Sequence, residues 1–134
     1  MLSALGGACV TDPGNSKRAG TKIVIKPCTG TSGQAWDTFT TEFPAGATRG
    51  GQCLEVPLPA SPNAVVPDGT AVILGSCFRG QQAQTSYWIP LPDGEIGNAY
   101  AGLWLAVRGN SARPGTPLVV SDCYGDIGEI WAEG

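Results

Sequence analysis

The sequence predicts an all-β chain closed into a barrel with three-fold pseudosymmetry, and three observations carry that prediction. The first is a repeat. A Gly-Thr start at Gly20, Gly69 and Gly115 leads into an apolar run (Ile23-Val24-Ile25, Val72-Ile73-Leu74, Leu118-Val119-Val120) and reaches a cysteine eight residues after the glycine, at Cys28, Cys77 and Cys123. A small polar loop then leads to Trp36, Trp88 and Trp131. The second observation is composition: 20 Gly and 11 Pro interrupt every stretch long enough for a helix, so turns and short strands are expected and almost no helix. The third is size. A chain of 134 residues makes one ordinary domain rather than two with separate cores. Short strands repeated three times need closure, because open sheet edges invite pairing between chains.

The repeat also shows where loops have grown. Cysteine and tryptophan are eight residues apart in the first and third copies and eleven apart in the second, which has gained three residues around Arg79 to Gln82. Such insertions belong in loops. Upstream, Cys9, Cys53 and Trp104 mark a second landmark, with eleven residues from Cys9 to Gly20 and eleven from Trp104 to Gly115. The middle copy needs sixteen, the excess lying in the Pro-rich stretch Pro57 to Pro67. The single domain, residues 1–134, thus divides into lobes near 1–42, 43–94 and 95–134.

In chain order, Leu2 to Val10 reads as the first strand and Asp12-Pro13-Gly14-Asn15-Ser16 as a turn. Ile23 to Lys26 alternates as a strand, and Thr29 to Gly33 is a loop. Trp36-Asp37-Thr38-Phe39 is expected to be a strand that feeds a hairpin around Pro44-Ala45-Gly46. Its counterpart is Trp88-Ile89-Pro90-Leu91 followed by Pro92-Asp93-Gly94-Glu95, where Asp-Gly between apolar runs is a specific hairpin signal. The last strand, at Trp131-Ala132-Glu133-Gly134, is very short. An indole at the same place in each lobe buries about 150 to 250 Å² and is core by default, so Trp36, Trp88 and Trp131 are read as structural.

Charge and cysteine usage narrow the function. A net charge of −3 without a Lys/Arg cluster leaves no footprint for a phosphate backbone, so nucleic acid is an unexpected partner. No apolar stretch approaches the roughly 18 residues that span a bilayer, so membrane insertion is not expected either. Cys9 with Cys28, and Cys53 with Cys77, stand at equivalent positions of two repeats. As disulfides, each closes a loop of about 20 to 25 residues and stabilises by about 3 kcal/mol. They would imply an oxidising, extracellular setting, although the Met1-Leu-Ser-Ala-Leu start lacks the regions of a signal peptide. Trp104 replaces the first cysteine of the third repeat, so Cys123 is expected to be a thiol buried behind it. With five cysteines, no histidine and no C-x2-C pair, a metal site is a poor reading, and no cofactor is expected. The absence of histidine also rules out Ser/His and Cys/His dyads, which leaves carboxylate pairs such as Asp122 and Asp126 as the only acid/base route. The chain is not expected to be an enzyme.

Gly-x-Cys-x, then Gly-Thr, an apolar strand, Cys and Gln34-Ala35-Trp36 together resemble the Q-x-W repeat of ricin B-type lectins and related carbohydrate-binding modules. The resemblance spans essentially the whole chain and implies a β-trefoil. It also implies a shallow sugar site in each lobe, built from four groups. An acid two residues after the first cysteine accepts hydroxyl hydrogen bonds, and an aromatic two before the second cysteine stacks on the sugar. An Asn and the Gln of Q-x-W help fix both. Carried onto this sequence, the acid position holds Thr11, Glu55 and Ala106, and the stacking position holds Lys26, Gly75 and Ser121. The Asn position holds Gly33, Thr85 and Gly128, and the Gln position holds Gln34, Ser86 and Glu129. No lobe keeps the full set.

Compensating residues stand near each site. Asp12 lies beside the first acid position and can turn toward Lys26 and Gln34, or simply cap its own turn. Glu55 is an acid at the family position with Phe78 nearby, a ring that can equally be an ordinary loop aromatic. Tyr124 and Asp126 crowd one loop with Asp122 and Glu129, and the competing reading is a solvated acidic loop. The expected order is therefore second lobe, third lobe, first lobe. The implied function is a non-catalytic carbohydrate-binding module with degenerate sites, its partner a glycan or polysaccharide. The competing reading is a trefoil that has lost sugar binding and serves as a structural subunit or inhibitor, through protein partners or self-association.

Overall fold

Gly20, Gly69 and Gly115 open the three repeats at φ of 88°, 88° and 89°, a left-handed conformation that glycine adopts at little cost. Each turn delivers its apolar run to a common axis. There the Ile23 amide donates to the Val72 carbonyl at 3.0 Å, the Val72 amide to Leu118 at 3.0 Å, and the Leu118 amide to Ile23 at 2.9 Å. A second ring follows the same order: Gly20 to Leu74 at 2.7 Å, Gly69 to Val120 at 2.7 Å and Gly115 to Ile25 at 2.8 Å. Every lobe is therefore bonded to both others through equivalent backbone groups, and the arrangement is a β-trefoil.

The computed structural model describes the chain except residues 1, 6, 17, 31, 35, 37–51, 58–64, 77–86, 123–126 and 134. The described strands are β1 (Leu2–Ala4), β2 (Ala8–Thr11), β3 (Val24–Pro27), β4 (Gln52–Glu55), β5 (Ile73–Ser76), β6 (Trp88–Pro90), β7 (Ile96–Asn98), β8 (Trp104–Val107), β9 (Leu118–Ser121) and β10 (Ala132–Glu133). They pair antiparallel in the orders β10-β1-β2-β3, β4-β5 and β6-β7-β8-β9. The two four-stranded sheets are equivalent under the repeat. Helical structure among the described residues is confined to 3-10 turns of three residues each.

The stretch expected to be one strand from Leu2 to Val10 is a hairpin, with Leu5 at φ 53° and the Gly7 amide donating to the Ala4 carbonyl at 3.2 Å. Leu5 and Gly7 both adopt positive φ there, and neither is the Asn, Asp or Pro that marks many turns. The Asp93-Gly94 hairpin forms where expected: Leu91 donates to the Glu95 carbonyl at 2.7 Å, Asp93 Oδ1 accepts the Glu95 amide at 3.2 Å, and Gly94 sits at φ 98°. The stretch from Asp37 through the expected hairpin at Pro44-Ala45-Gly46 lies outside the described residues.

Val10, Ile23, Ile25, Leu54, Val72, Leu74, Leu105, Leu118 and Val120 are fully buried at the centre. Trp36, Trp88 and Trp131 close that core and are 7%, 0% and 6% exposed. Each indole Nε1–H donates at 3.0 Å to the carbonyl of the residue that follows the first landmark of its lobe, Val10, Leu54 or Leu105. A buried indole needs such an acceptor, and the repeat provides it three times. Cys9 and Cys28 form a disulfide across a sequence separation of 19, and Cys53 is also disulfide-bonded. Cys77 and Cys123 lie outside the described residues.

Candidate functional site

Strand register explains why the family's positions cluster. Cys9 pairs with Lys26, Cys53 with Gly75 and Trp104 with Ser121, so each stacking position sits across from the first landmark. The acid position is two residues further along the same strand and shares that face. In the first and third lobes the Gln position arrives from the 3-10 turn before the tryptophan, Ser32–Gln34 and Ile127–Glu129.

In the first lobe the Gln position is turned into the protein. Gln34 is 2% exposed, and its Oε1 accepts the amides of Thr29 at 2.8 Å and Gly30 at 3.1 Å. Its Nε2 donates to the Pro27 carbonyl at 2.9 Å and to Thr11 Oγ1 at 3.2 Å. These bonds use both amide protons and both oxygen lone pairs, so Gln34 fixes the loop after β3 onto β2. Asp12 is buried; its amide donates to the Gly33 carbonyl at 2.8 Å, and its Oδ1 accepts from Ser16 Oγ at 2.7 Å. It stands at the N-cap of the turn Pro13–Asn15 without a side-chain cap bond. Lys26 is exposed on β3.

In the second lobe Glu55 is half-buried at the end of β4. Its carboxylate lies on the backbone of Gly75: a Cβ placed there would collide with Glu55 Oε1 and stand 2.7 Å from Cδ. The acid thus fills the space that a side chain at the stacking position would need. Phe78, the expected ring of this lobe, lies outside the described residues.

The third lobe carries an open depression of about 270 Å³, lined by Asp68, Ala106, Arg108, Asn110, Ser121 and Glu129 among others. Asn110 adopts φ 55° at the end of a 3-10 turn, and its Oδ1 accepts the Gly128 amide at 3.0 Å. A Cβ on Gly128 would stand 2.5 Å from that oxygen, so a glycine before Glu129 makes room for the Asn110 side chain. Asp68 reaches over from the second repeat, its Oδ1 accepting the Asp122 amide at 3.0 Å. Glu129 is 1% exposed. It stands where Gln34 stands in the first lobe, but a carboxylate cannot supply the two donations that Gln34 makes. Thr11, the hydroxyl partner of Gln34, is correspondingly replaced by Ala106. Tyr124 and Asp126 lie outside the described residues.

Asp68, Arg108 and Asn110 were not anticipated from the sequence. Asn110 had a readable signal, since Gly-Asn occurs five and six residues after the landmark in the first lobe (Gly14-Asn15) and again in the third (Gly109-Asn110). Asp68 had none in its own repeat, because the site is completed across a lobe boundary through the Gly69 turn.

A three-fold β-trefoil with a small depression on the outer face of a repeat defines the class of trefoil binding domains. A family model for the ricin-type beta-trefoil lectin domain matches residues 2–131, and the chain belongs to that family of carbohydrate-binding domains. No curated protein matches it by sequence. Among solved structures it is similar to ThreeFoil, a designed 3-fold symmetric protein, at TM-score 0.75 and 22% identity, covering 97% of this chain and 93% of that one. It is also similar to the agglutinin from Abrus precatorius, at TM-score 0.75 and 22% identity, over 98% of this chain and 46% of that one. A non-toxic homologue of type II RIPs from Momordica charantia (bitter gourd), in complex with alpha-methyl-D-galactoside, matches at TM-score 0.76 and 20% identity over 98% of this chain. The match spans 45% of that structure's chain.

Proposed function

We propose that this domain is a non-catalytic carbohydrate-binding module whose principal site is the third-lobe depression. The observation that carries the reading is the convergence of Asp68, Arg108, Asn110, Ser121 and Glu129 on one small cavity in a chain of this family. A hexose needs carboxylate or amide acceptors for paired hydroxyls and cationic or hydroxyl donors for its ring and exocyclic oxygens. Exposed Asp68 supplies the first kind, Arg108 and Ser121 the second, while buried Glu129 forms the floor of the depression. The acid missing at Ala106 is replaced by Asp68 from the second repeat. About 270 Å³ lies just below the roughly 300–1,000 Å³ of drug-sized pockets and suits one sugar ring. Tyr124 and Asp126 follow Ser121 closely in sequence and stay candidates for the same lobe, to be tested by Tyr124→Ala and Asp126→Ala.

The second lobe is a lesser site built on Glu55 and Phe78, and the first contributes Asp12 and Lys26 while Gln34 serves as a positioning residue. Third before second reverses the order expected from the sequence, because Glu55 is folded onto Gly75. The disulfides fit an oxidising, extracellular setting. Calorimetry with methyl α-D-galactoside, the sugar held by the bitter gourd homologue, and with xylan and chitin fragments tests the reading. A site of this kind begins near millimolar affinity, about −4 kcal/mol. Asp68→Asn removes a charge-assisted bond worth about 1.5 to 3 kcal/mol, enough to weaken binding by at least tenfold. Binding of no glycan by the parent replaces this reading with a protein-interaction trefoil. Binding that Asp68→Asn and Asn110→Ala leave unchanged removes the third lobe as the site.

A further inference from the structure

Strands β6 to β9 set four residues in one row: Ile89 opposite Gly97, Gly97 opposite Trp104, and Trp104 opposite Ser121. Residues paired in this way point to the same face, their Cβ atoms about 4.5 to 5.5 Å apart. Ser121 is the position that the resemblance assigns to a stacking ring. In the other lobes the residue across from that position is a half-cystine, Cys9 opposite Lys26 and Cys53 opposite Gly75. The third lobe has an indole there instead.

Trp104 is half-buried and lies over the backbone of Gly97, where a Cβ would stand 3.2 Å from Cζ3 and 3.5 Å from Cε3. With Ile89, Leu91 and Leu103 it lines an apolar depression of about 280 Å³. Ile89 is 50% exposed, so this wall is open to solvent. Ala106, two residues along β8 on the same face, and Ser121, across from Trp104, both line the polar depression described above. The apolar and polar depressions therefore flank the Trp104–Ser121 pair, one residue of which lines each.

We propose that Trp104 is the aromatic platform of a second sugar subsite, which makes the third lobe a reader of glycans with at least two rings. The inference rests on the carbohydrate-binding reading and deepens it. The stacking surface missing at Ser121 stands one strand over, displaced toward β7. A pyranose presents a face of C–H groups, slightly positive, which suits the negative face of an indole, and it keeps its hydroxyls at the rim. The walls formed by Ile89, Leu91 and Leu103 offer side chains without hydrogen-bonding groups, so a ring seated there contacts the protein through its C–H face. The first ring takes the polar depression, where its hydroxyls find Asp68, Arg108 and Ser121, and the second ring takes the indole.

Tryptophan emission tests this in the intact chain. Of the four tryptophans, Trp36, Trp88 and Trp131 are 7%, 0% and 6% exposed, so iodide in solution quenches chiefly Trp104. The probes are galactobiose, xylobiose and chitobiose beside their single-ring methyl glycosides. For the sugar that binds, the two-ring form is expected to protect emission from iodide and to bind about tenfold tighter than the single ring. In Trp104→Ala the ratio of two-ring to one-ring affinity falls to about one, and in Trp104→Phe part of the advantage returns, in keeping with a smaller stacking ring. Should Trp104→Ala unfold, quenching in the parent decides the matter. Single-ring binding without protection or added affinity from the second ring overturns the subsite and leaves the module reading standing. No glycan binding at all overturns both.

Discussion

Gln34 is a residue whose value lies in having both donors and acceptors at one end of the side chain. It ties two amides of the loop after β3, a carbonyl of β3 and a hydroxyl of β2 to one point. Gln34→Glu keeps the size and removes both donations, and it sets a carboxylate against the Pro27 carbonyl in a buried place. Loss of two bonds to a buried group costs about 1 to 3 kcal/mol. Urea denaturation is expected to show a drop of that size, with third-lobe sugar binding unchanged; an unchanged midpoint would mean that the loop is held by other contacts. The third lobe already carries Glu129 there, together with Ala106 in place of Thr11, so donor and hydroxyl were lost as a pair. The Gln itself was legible in the Q-x-W motif, but its inward orientation was not. Nothing in the sequence distance from Thr11 to Gln34 announces a hydrogen bond between them. Asp68 was harder still, because it belongs by sequence to the second lobe and by position to the third.

At the level of the element, the Gly-Thr turns repeat a backbone conformation as well as a sequence. Gly20, Gly69 and Gly115 share φ within a degree, and a Cβ on any of them meets nothing within 4 Å. Alanine there would be opposed by conformation alone, without a clash, at a cost of about 1 to 2 kcal/mol per site. We expect Gly20→Ala, Gly69→Ala and Gly115→Ala to lower stability by similar amounts in urea titrations. A site that costs nothing would show that its turn can relax to negative φ without breaking the bond to the next lobe. The spacing of eight residues from each of these glycines to a cysteine made the trefoil readable, because three equal spacings leave little room for another architecture. The hairpin at Asp93-Gly94 was equally plain from its turn residues. The break between β1 and β2 was hidden because Ala4-Leu5-Gly6-Gly7-Ala8 reads as a weak apolar run, and its turn depends on Leu5 adopting positive φ. Trp104 was legible as a substitution for cysteine, whereas its position opposite Ser121 needed the register of β8 against β9.

The whole molecule is held by rings of bonds that belong to no single lobe. Ile23, Val72 and Leu118 are each fully buried by the other two repeats, and β10 pairs with β1, with Leu2 opposite Glu133 and Ser3 opposite Ala132. A lobe separated from its neighbours would expose its central strand and lose its partners in both rings, so the domain is expected to unfold as one unit. The Cys9–Cys28 disulfide lies wholly within the first lobe. Its loop, with a sequence separation of 19, corresponds to about 3 kcal/mol in the chain-entropy model, a large share of the roughly 5 to 15 kcal/mol that folded domains possess. Because the lobes share one core, that loss should be felt by all of them. Replacement of both cysteines by serine is expected to lower the midpoint of a single transition, with near-ultraviolet dichroism and tryptophan emission moving together. Emission is a fair probe of all three lobes, since one buried indole closes the core in each. Two separated transitions in the doubly substituted chain, an early one followed by a late one at the original midpoint, would show that the first lobe can detach from the others and that the backbone rings do not enforce cooperativity.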